Sequence, residues 1–213
     1  EKQIYRFMKG DTDLSLRFDL TVPLAKYVAQ NYGHLPFPFR RFQIGKVYRG
    51  ERAQRGRFRE FYQADIDVIG DGKLDISNEA EIPSIIYKTF TALGLRRFKI
   101  RVNNRKVLNG LFAILGLEKQ AGDVMRTIDK LEKIGLDNVK AELMERGLDR
   151  EAVDKLQPIL ELSGDNAQKL NQLKEVLAVS ETGMKGIEEM ETVFGYVGRL
   201  GIDLTVELDL SLA

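Results

Sequence analysis

The chain has 213 residues, with 33 Lys and Arg, 32 Asp and Glu, one His and no Cys. That length holds one or two domains with a sizeable core. The composition excludes disulfides, thiol catalysis and cysteine-held zinc, and with one histidine neither a Ser-His-Asp triad nor a multi-histidine metal site is expected within the chain.

The predicted elements follow in chain order. Ile4 to Met8 and Leu14 to Phe18 read as short strands around a turn at Gly10 and Asp11. Asp19 is a candidate N-cap for a helix with apolar residues at Val22, Leu24, Ala25, Val28 and Ala29. His34 lies in the Pro-rich turn GHLPFPF and reads as a loop residue. Phe42 to Tyr48 and Phe61 to Ile69 are the strongest strands. Ser77 opens a helix that Gly94 closes, with Pro83 expected near its start or at a kink. Phe98 to Val102 alternates as a strand. From about Asn104 to Leu200 the apolar spacing becomes helical. Five or six helices are expected there, broken at Gly116, Gly135, Gly147, Ser163-Gly164 and the run Gly183 to Gly186. This block carries 14 basic and 17 acidic residues between Arg105 and Arg199, as a solvated helical bundle does. Ile202 to Leu212 then alternates as a strand. Strands on both sides of a helical block suggest an insertion into an α+β domain.

No apolar run approaches the ~18 residues of a membrane span, and no signal peptide is visible. The absence of Cys suits a cytoplasmic protein.

Charge singles out one segment. Arg40 to Arg59 holds eight Lys or Arg and one acid, Glu51, a net +7 in a chain whose total is +1. Basic residues gathered in this way prepare a surface for phosphate. The loop Gly50 to Arg57 joins the two strong strands as a hairpin. With period two, Tyr62, Ala64, Ile66 and Val68 form an apolar back suited to burial. Arg59, Phe61, Gln63, Asp65 and Asp67 form a polar front. An arginine fork beside an aromatic ring and an amide suits a nucleotide and a polar substrate. Neither G-x-x-x-x-G-K-[ST] nor G-x-G-x-x-G occurs, so any ATP site is built on this arginine-rich hairpin.

The strand ending in Arg49, Glu51 two residues on, a variable loop and Phe61 in the next strand resemble motif 2 of the class II aminoacyl-tRNA synthetases. LRFDLTVPLAKYVA (Leu16 to Ala29), KVYRGERAQRGRFREFYQADIDVIG (Lys46 to Gly70) and FKIRVNNRKVL (Phe98 to Leu108) narrow the resemblance to the histidyl-tRNA synthetases, in their eukaryote-like form. It implies an α+β fold: a partial class II catalytic core on an antiparallel sheet, with an inserted all-helical domain. The implied division is 1–103 for the core, 104–200 for the insertion and 201–213 for a return strand.

The resemblance also implies the site. Arg49, as catalytic residue, would bind the α-phosphate of ATP. Glu51 would accept from the adenine amino group, Phe61 would stack on the ring, and Arg57 would reach the terminal phosphates or the acceptor stem. Asp19, Thr21 and Gln63 would hold the α-ammonium of histidine, with Asp67 near the imidazole. Implied partners are L-histidine, ATP with Mg²⁺, tRNA(His) and a second subunit in a homodimer, with neither a protein-held metal nor a membrane. Motif 1 is expected before Glu1. A motif beginning Arg-Gly-Leu-Asp-Tyr-Tyr, motif 3 and an anticodon-binding domain are expected after Ala213. The chain therefore reads as an internal fragment that would not form histidyl-adenylate efficiently alone. The alternatives are a non-catalytic relative, namely the regulatory subunit of ATP phosphoribosyltransferase or a tRNA-sensing domain, and a generic nucleic-acid-binding hairpin.

Overall fold

The computed structural model describes residues 3–52, 54–128, 130–160 and 162–212. The fold is α+β, and the chain divides into two units, residues 1–75 and 76–213.

The first unit begins with a hairpin of β1 (Arg6–Lys9) and β2 (Thr12–Ser15), which turns at Gly10 with φ of +59°. A positive φ of this kind suits glycine because no Cβ meets the backbone. Helix α1 (Thr21–Asn31) follows. The Asp19 side chain accepts a hydrogen bond from the Val22 N–H at 2.9 Å, satisfying one of the donors left open at the helix start. A single 3₁₀ turn holds His34.

Two long strands dominate this unit, β3 (Phe39–Tyr48) and β4 (Glu60–Ile69). They are antiparallel, with Arg41 opposite Asp67, Gln43 opposite Asp65, Gly45 opposite Gln63 and Val47 opposite Phe61. Alternation in both strands puts all eight on one face.

That face, and not the apolar one, is the better covered. Leu20 is fully buried against it, and a Cβ on Gly45 would meet Leu20 Cδ2 at 3.3 Å. Of the expected apolar back, Tyr62 (66%) and Ala64 are exposed and Ile66 and Val68 half-buried, and on the same side of β3 Phe42 (76%) and Ile44 (67%) are exposed too. The period was right and the buried side was wrong. The segment Arg17–Leu20 runs along β3, with the Tyr48 N–H bonded to the Arg17 carbonyl at 2.7 Å, and it covers the polar side.

The second unit opens with α2 (Ser77–Ala92), which keeps Pro83 buried inside the helix and is closed by Gly94 with φ of +84°. Strand β5 (Ile100–Val102) leads to helices α3 (Arg105–Leu115), α4 (Ala121–Ile128), α5 (Leu131–Ile134), α6 (Leu136–Glu145), α7 (Arg150–Leu160), α8 (Asn166–Leu177) and α9 (Glu181–Arg199). Strand β6 (Val206–Leu208) returns beside β5. Caps set several boundaries. Asn104 caps α3, Asp165 and Gln168 form a capping box on α8, and Ser180 caps α9.

Two expectations are corrected here. The run Gly183 to Gly186 does not break the block but lies within α9. These glycines permit close packing. A Cβ on Gly110 of α3 would meet Gly183 Cα at 2.5 Å, and one on Gly186 would meet Val107 N at 2.8 Å. The final strand is short, because Leu204 is 84% exposed and falls in a turn. Among the described residues the strands form three separate pairs. Two are antiparallel, while β5 and β6 run parallel, Ile100 opposite Val206.

The unit boundary at 75/76 also differs from the compositional change at Asn104. Helix α2 packs on α9, and Ala80, Ile100, Val193, Val197, Ile202 and Val206 share one buried cluster. A larger cluster joins α3 to the other helices through Leu111, Phe112, Val124, Leu143, Leu156, Leu173 and Ile187.

Candidate functional site

The site is built on the β3–β4 hairpin and the segment leading into α1. Past the strands the pairing continues, with the Arg49 N–H bonded to the Arg59 carbonyl at 3.0 Å. The tip folds back through a bridge between Gln54 and Arg57, where Gly56 has φ of +79°. The Gly50 N–H is held by the Gln3 carbonyl at 2.8 Å.

This backbone fixes Arg49. Its guanidinium lies 4.8 Å from the Phe18 ring centre and 5.2 Å from that of Phe61, between two aromatic rings. Its Nε donates to the Phe18 carbonyl at 3.3 Å. Such contacts hold a guanidinium without neutralising it, so its charge remains available to an anion. Arg49, Glu51, Gly56, Arg57, Phe58 and Phe61 together line a cavity of about 390 Å³. The structure thus brings together the four residues expected for ATP.

Glu51 is engaged within this cavity. Arg57 Nη1 lies 3.6 Å from its carboxylate, and Arg59 Nε donates to its carbonyl at 3.2 Å. Because Arg57 is 65% exposed, this pair is loose and easily exchanged for a ligand.

The residues expected for histidine are placed along the same hairpin face. Gln63 and Asp67 follow Phe61 in steps of two, in half-buried positions. Asp19 and Thr21 flank Leu20, which lies over Gly45 directly opposite Gln63. Thr21 is the first residue of α1, and one Asp19 oxygen is committed to the helix cap. None of these four lines the Arg49 cavity.

Asp67 has a partner that the sequence reading did not identify. Arg41 Nη2 lies 2.8 Å from Asp67 Oδ2, with side-chain exposures of 11% and 27%. The contact is ionic without hydrogen-bond geometry, since Asp67 Oδ2 lacks a hydrogen-bond partner. Arg41 also donates to Gln43 Oε1 at 2.7 Å and to the Leu20 carbonyl at 3.4 Å. Phe18, Phe58 and Gln43 were missed too. The signal for Arg41 and Gln43 was available in the pairing. With Val47 facing Phe61, steps of two bring Gln43 to Asp65 and Arg41 to Asp67.

The comparisons with known proteins bear on this site. The family model described as histidyl-tRNA synthetase matches residues 1–213. The chain belongs to the histidyl-tRNA synthetase family. It is 53% identical over 214 residues to the histidine–tRNA ligase of Clostridium tetani (strain Massachusetts / E88), covering 100% of this chain and 48% of that protein. The crystal structure of histidyl-tRNA synthetase from Nostoc sp. PCC 7120 superposes with a TM-score of 0.87 at 39% identity, over 98% of this chain and 48% of that one. A structure described as an ATP phosphoribosyltransferase regulatory subunit/histidyl-tRNA synthetase from Bacillus halodurans C gives 0.82 at 24% identity, over 100% of this chain and 54% of that one, and shares the fold. The chain spans about half the length of the curated histidine–tRNA ligases it matches. No helix among the described residues is long and apolar enough to cross a membrane.

Proposed function

We propose that the full-length gene product carrying this chain joins L-histidine to tRNA(His) through histidyl-adenylate, and that this chain supplies part of the synthetase's active site. The observation that carries the reading is Arg49, held between Phe18 and Phe61 over a cavity that also presents Glu51 and Arg57. Family membership supports it.

In this mechanism the histidine carboxylate attacks the α-phosphorus of ATP and pyrophosphate leaves. Positioning and electrostatics carry such a step without a nucleophilic side chain. Arg49, as catalytic residue, binds the α-phosphate and stabilises the charge that develops on it. Phe61 stacks on adenine and Glu51 accepts from its amino group. Arg57 turns from Glu51 toward the terminal phosphates. Gln63, Asp19 and Thr21 hold the α-ammonium, and Asp67 faces the imidazole. Among the described residues no group of three or more His, Asp or Glu is placed to hold a metal. Magnesium is proposed as the companion of ATP, bound through its phosphates.

The helical residues 104–200 are proposed as an insertion between 1–103 and the return strand 201–213. The side-by-side pairing of β5 and β6 at its two ends supports that reading. A homodimer and a cytoplasmic location complete the proposal.

The deciding experiment is histidine-dependent ATP–pyrophosphate exchange by the full-length gene product. Exchange stimulated by histidine and lowered about 100-fold or more by Arg49→Gln is expected. A protein that binds histidine but exchanges no pyrophosphate would favour the second reading, a regulatory relative, for which the shared fold of the Bacillus halodurans protein is the specific support.

A further inference from the structure

We propose that Arg41 is a positioning residue that ties Asp67 to the Asp19–Thr21 segment and so sets the affinity for histidine. This inference rests on the synthetase reading of the site. The guanidinium of Arg41 touches both halves of the candidate amino-acid site. On one side it lies 2.8 Å from Asp67 Oδ2; on the other it reaches the Leu20 carbonyl at 3.4 Å, between Asp19 and Thr21. Gln43 Oε1 accepts from its remaining arm at 2.7 Å and fixes the plane of the fork. Arg41 is 11% exposed, and a planar fork so anchored has little freedom to follow solvent.

Three buried polar atoms on this face have no hydrogen-bond partner: Arg41 Nε, Asp67 Oδ2 and Gln63 Oε1. Buried polar atoms are rarely left open, because each forfeits its hydration. Asp67 Oδ2 and Gln63 Oε1 are acceptors. An imidazole N–H and an ammonium are donors of the kind that would complete them. Arg41 balances the charge of Asp67 while leaving that oxygen's hydrogen-bonding capacity unused. The pair therefore presents a neutral acceptor surface, suited to an uncharged imidazole more than to a lysine or arginine side chain. Gly45, opposite Gln63, lets Leu20 pack close to the strand, which holds the Asp19–Thr21 segment beside Gln63.

The test uses the full-length gene product in pyrophosphate exchange, with histidine and ATP varied separately. Arg41→Met is expected to raise KM for histidine at least tenfold while KM for ATP and kcat change less than threefold. Arg41→Lys, which keeps the charge, should recover part of that loss. Gln43→Leu, which frees the guanidinium without removing a charge, should raise KM for histidine about threefold. It decides the matter if Arg41→Met does not fold. Unchanged histidine KM in Arg41→Met, or in Gln43→Leu when Arg41→Met is unfolded, overturns the proposal. So does an equal rise in both KM values. A wild type without histidine-dependent exchange instead sinks the synthetase reading itself.

Discussion

Arg49 shows how few contacts are needed to aim a charge. Two aromatic rings and one carbonyl hold its guanidinium, and among the described residues no carboxylate pairs with it. Removing a preorganised charge of this kind typically costs 10²- to 10³-fold in rate. Arg49→Gln should therefore lower the exchange rate of the full-length gene product about 100-fold or more, with its melting temperature within a few degrees of wild type. Phe18→Leu should raise KM for ATP only a few-fold, because Phe61 and the backbone carbonyl remain and a cation–π contact outside a desolvated core is worth about 1 kcal/mol. Charge density and strand parity pointed to Arg49, Arg57 and Phe61, and the resemblance alone pointed to Glu51; the structure places all four around one cavity. The sequence hid Phe18, since an aromatic next to a helix cap looks like ordinary packing. It hid Arg41 because a basic residue in a basic run carries no distinguishing mark until the opposing strand is in register.

Helices α3 and α9 show why an element can defeat a rule that works elsewhere. Glycine ended helices at Gly116, Gly135 and Gly147, where φ is positive, yet Gly183 and Gly186 lie inside α9. What differs is the neighbour: a Cβ on Gly186 would meet the α3 backbone at Val107, and the backbone of Gly183 itself stands where a side chain on Gly110 would be. Gly110→Ala should thus destabilise by ~1–3 kcal/mol, as overpacking does, read by chemical denaturation. Gly195→Ala, on the same helix α9 with nothing within 4 Å, should stabilise by ~0.5–1 kcal/mol. The two helices are also joined through Glu189, which accepts from Lys106 Nζ and, at 3.0 Å, from Asn104 Nδ2. The Lys106 ammonium, then the Asn104 amide, hold the Glu189 carboxyl below its ordinary value of 4.5. A depressed carboxyl contributes its full stability above the unfolded value and loses it as pH falls through the folded one. Glu189→Gln should lower the melting temperature at pH 7, and the gap from wild type should close as pH drops below about 4.5.

At the scale of the whole molecule, the helical character of residues 104–200 was legible because it rests on a local period, while the division into units was not. Contacts between distant segments, α2 on α9 and β5 beside β6, place the boundary, and no local pattern reports them. The buried face of the hairpin was illegible for a related reason, since cover is supplied by another segment. Residues 76–213 hold both buried clusters and should fold alone with a cooperative melt; absence of a sigmoidal circular-dichroism transition would contradict this. Helix α9 has a further consequence. Its first half, with Ile187 and Met190, belongs to the larger cluster, and its second half, with Val193 and Val197, belongs to the smaller. Phe194 packs against both. Anyone seeking to transplant the helices into another host, or to delete them, will find no clean seam at Leu200. A cut there severs a beam that two rooms share, and a graft that keeps its footing must carry α2 and both flanking strands along with it.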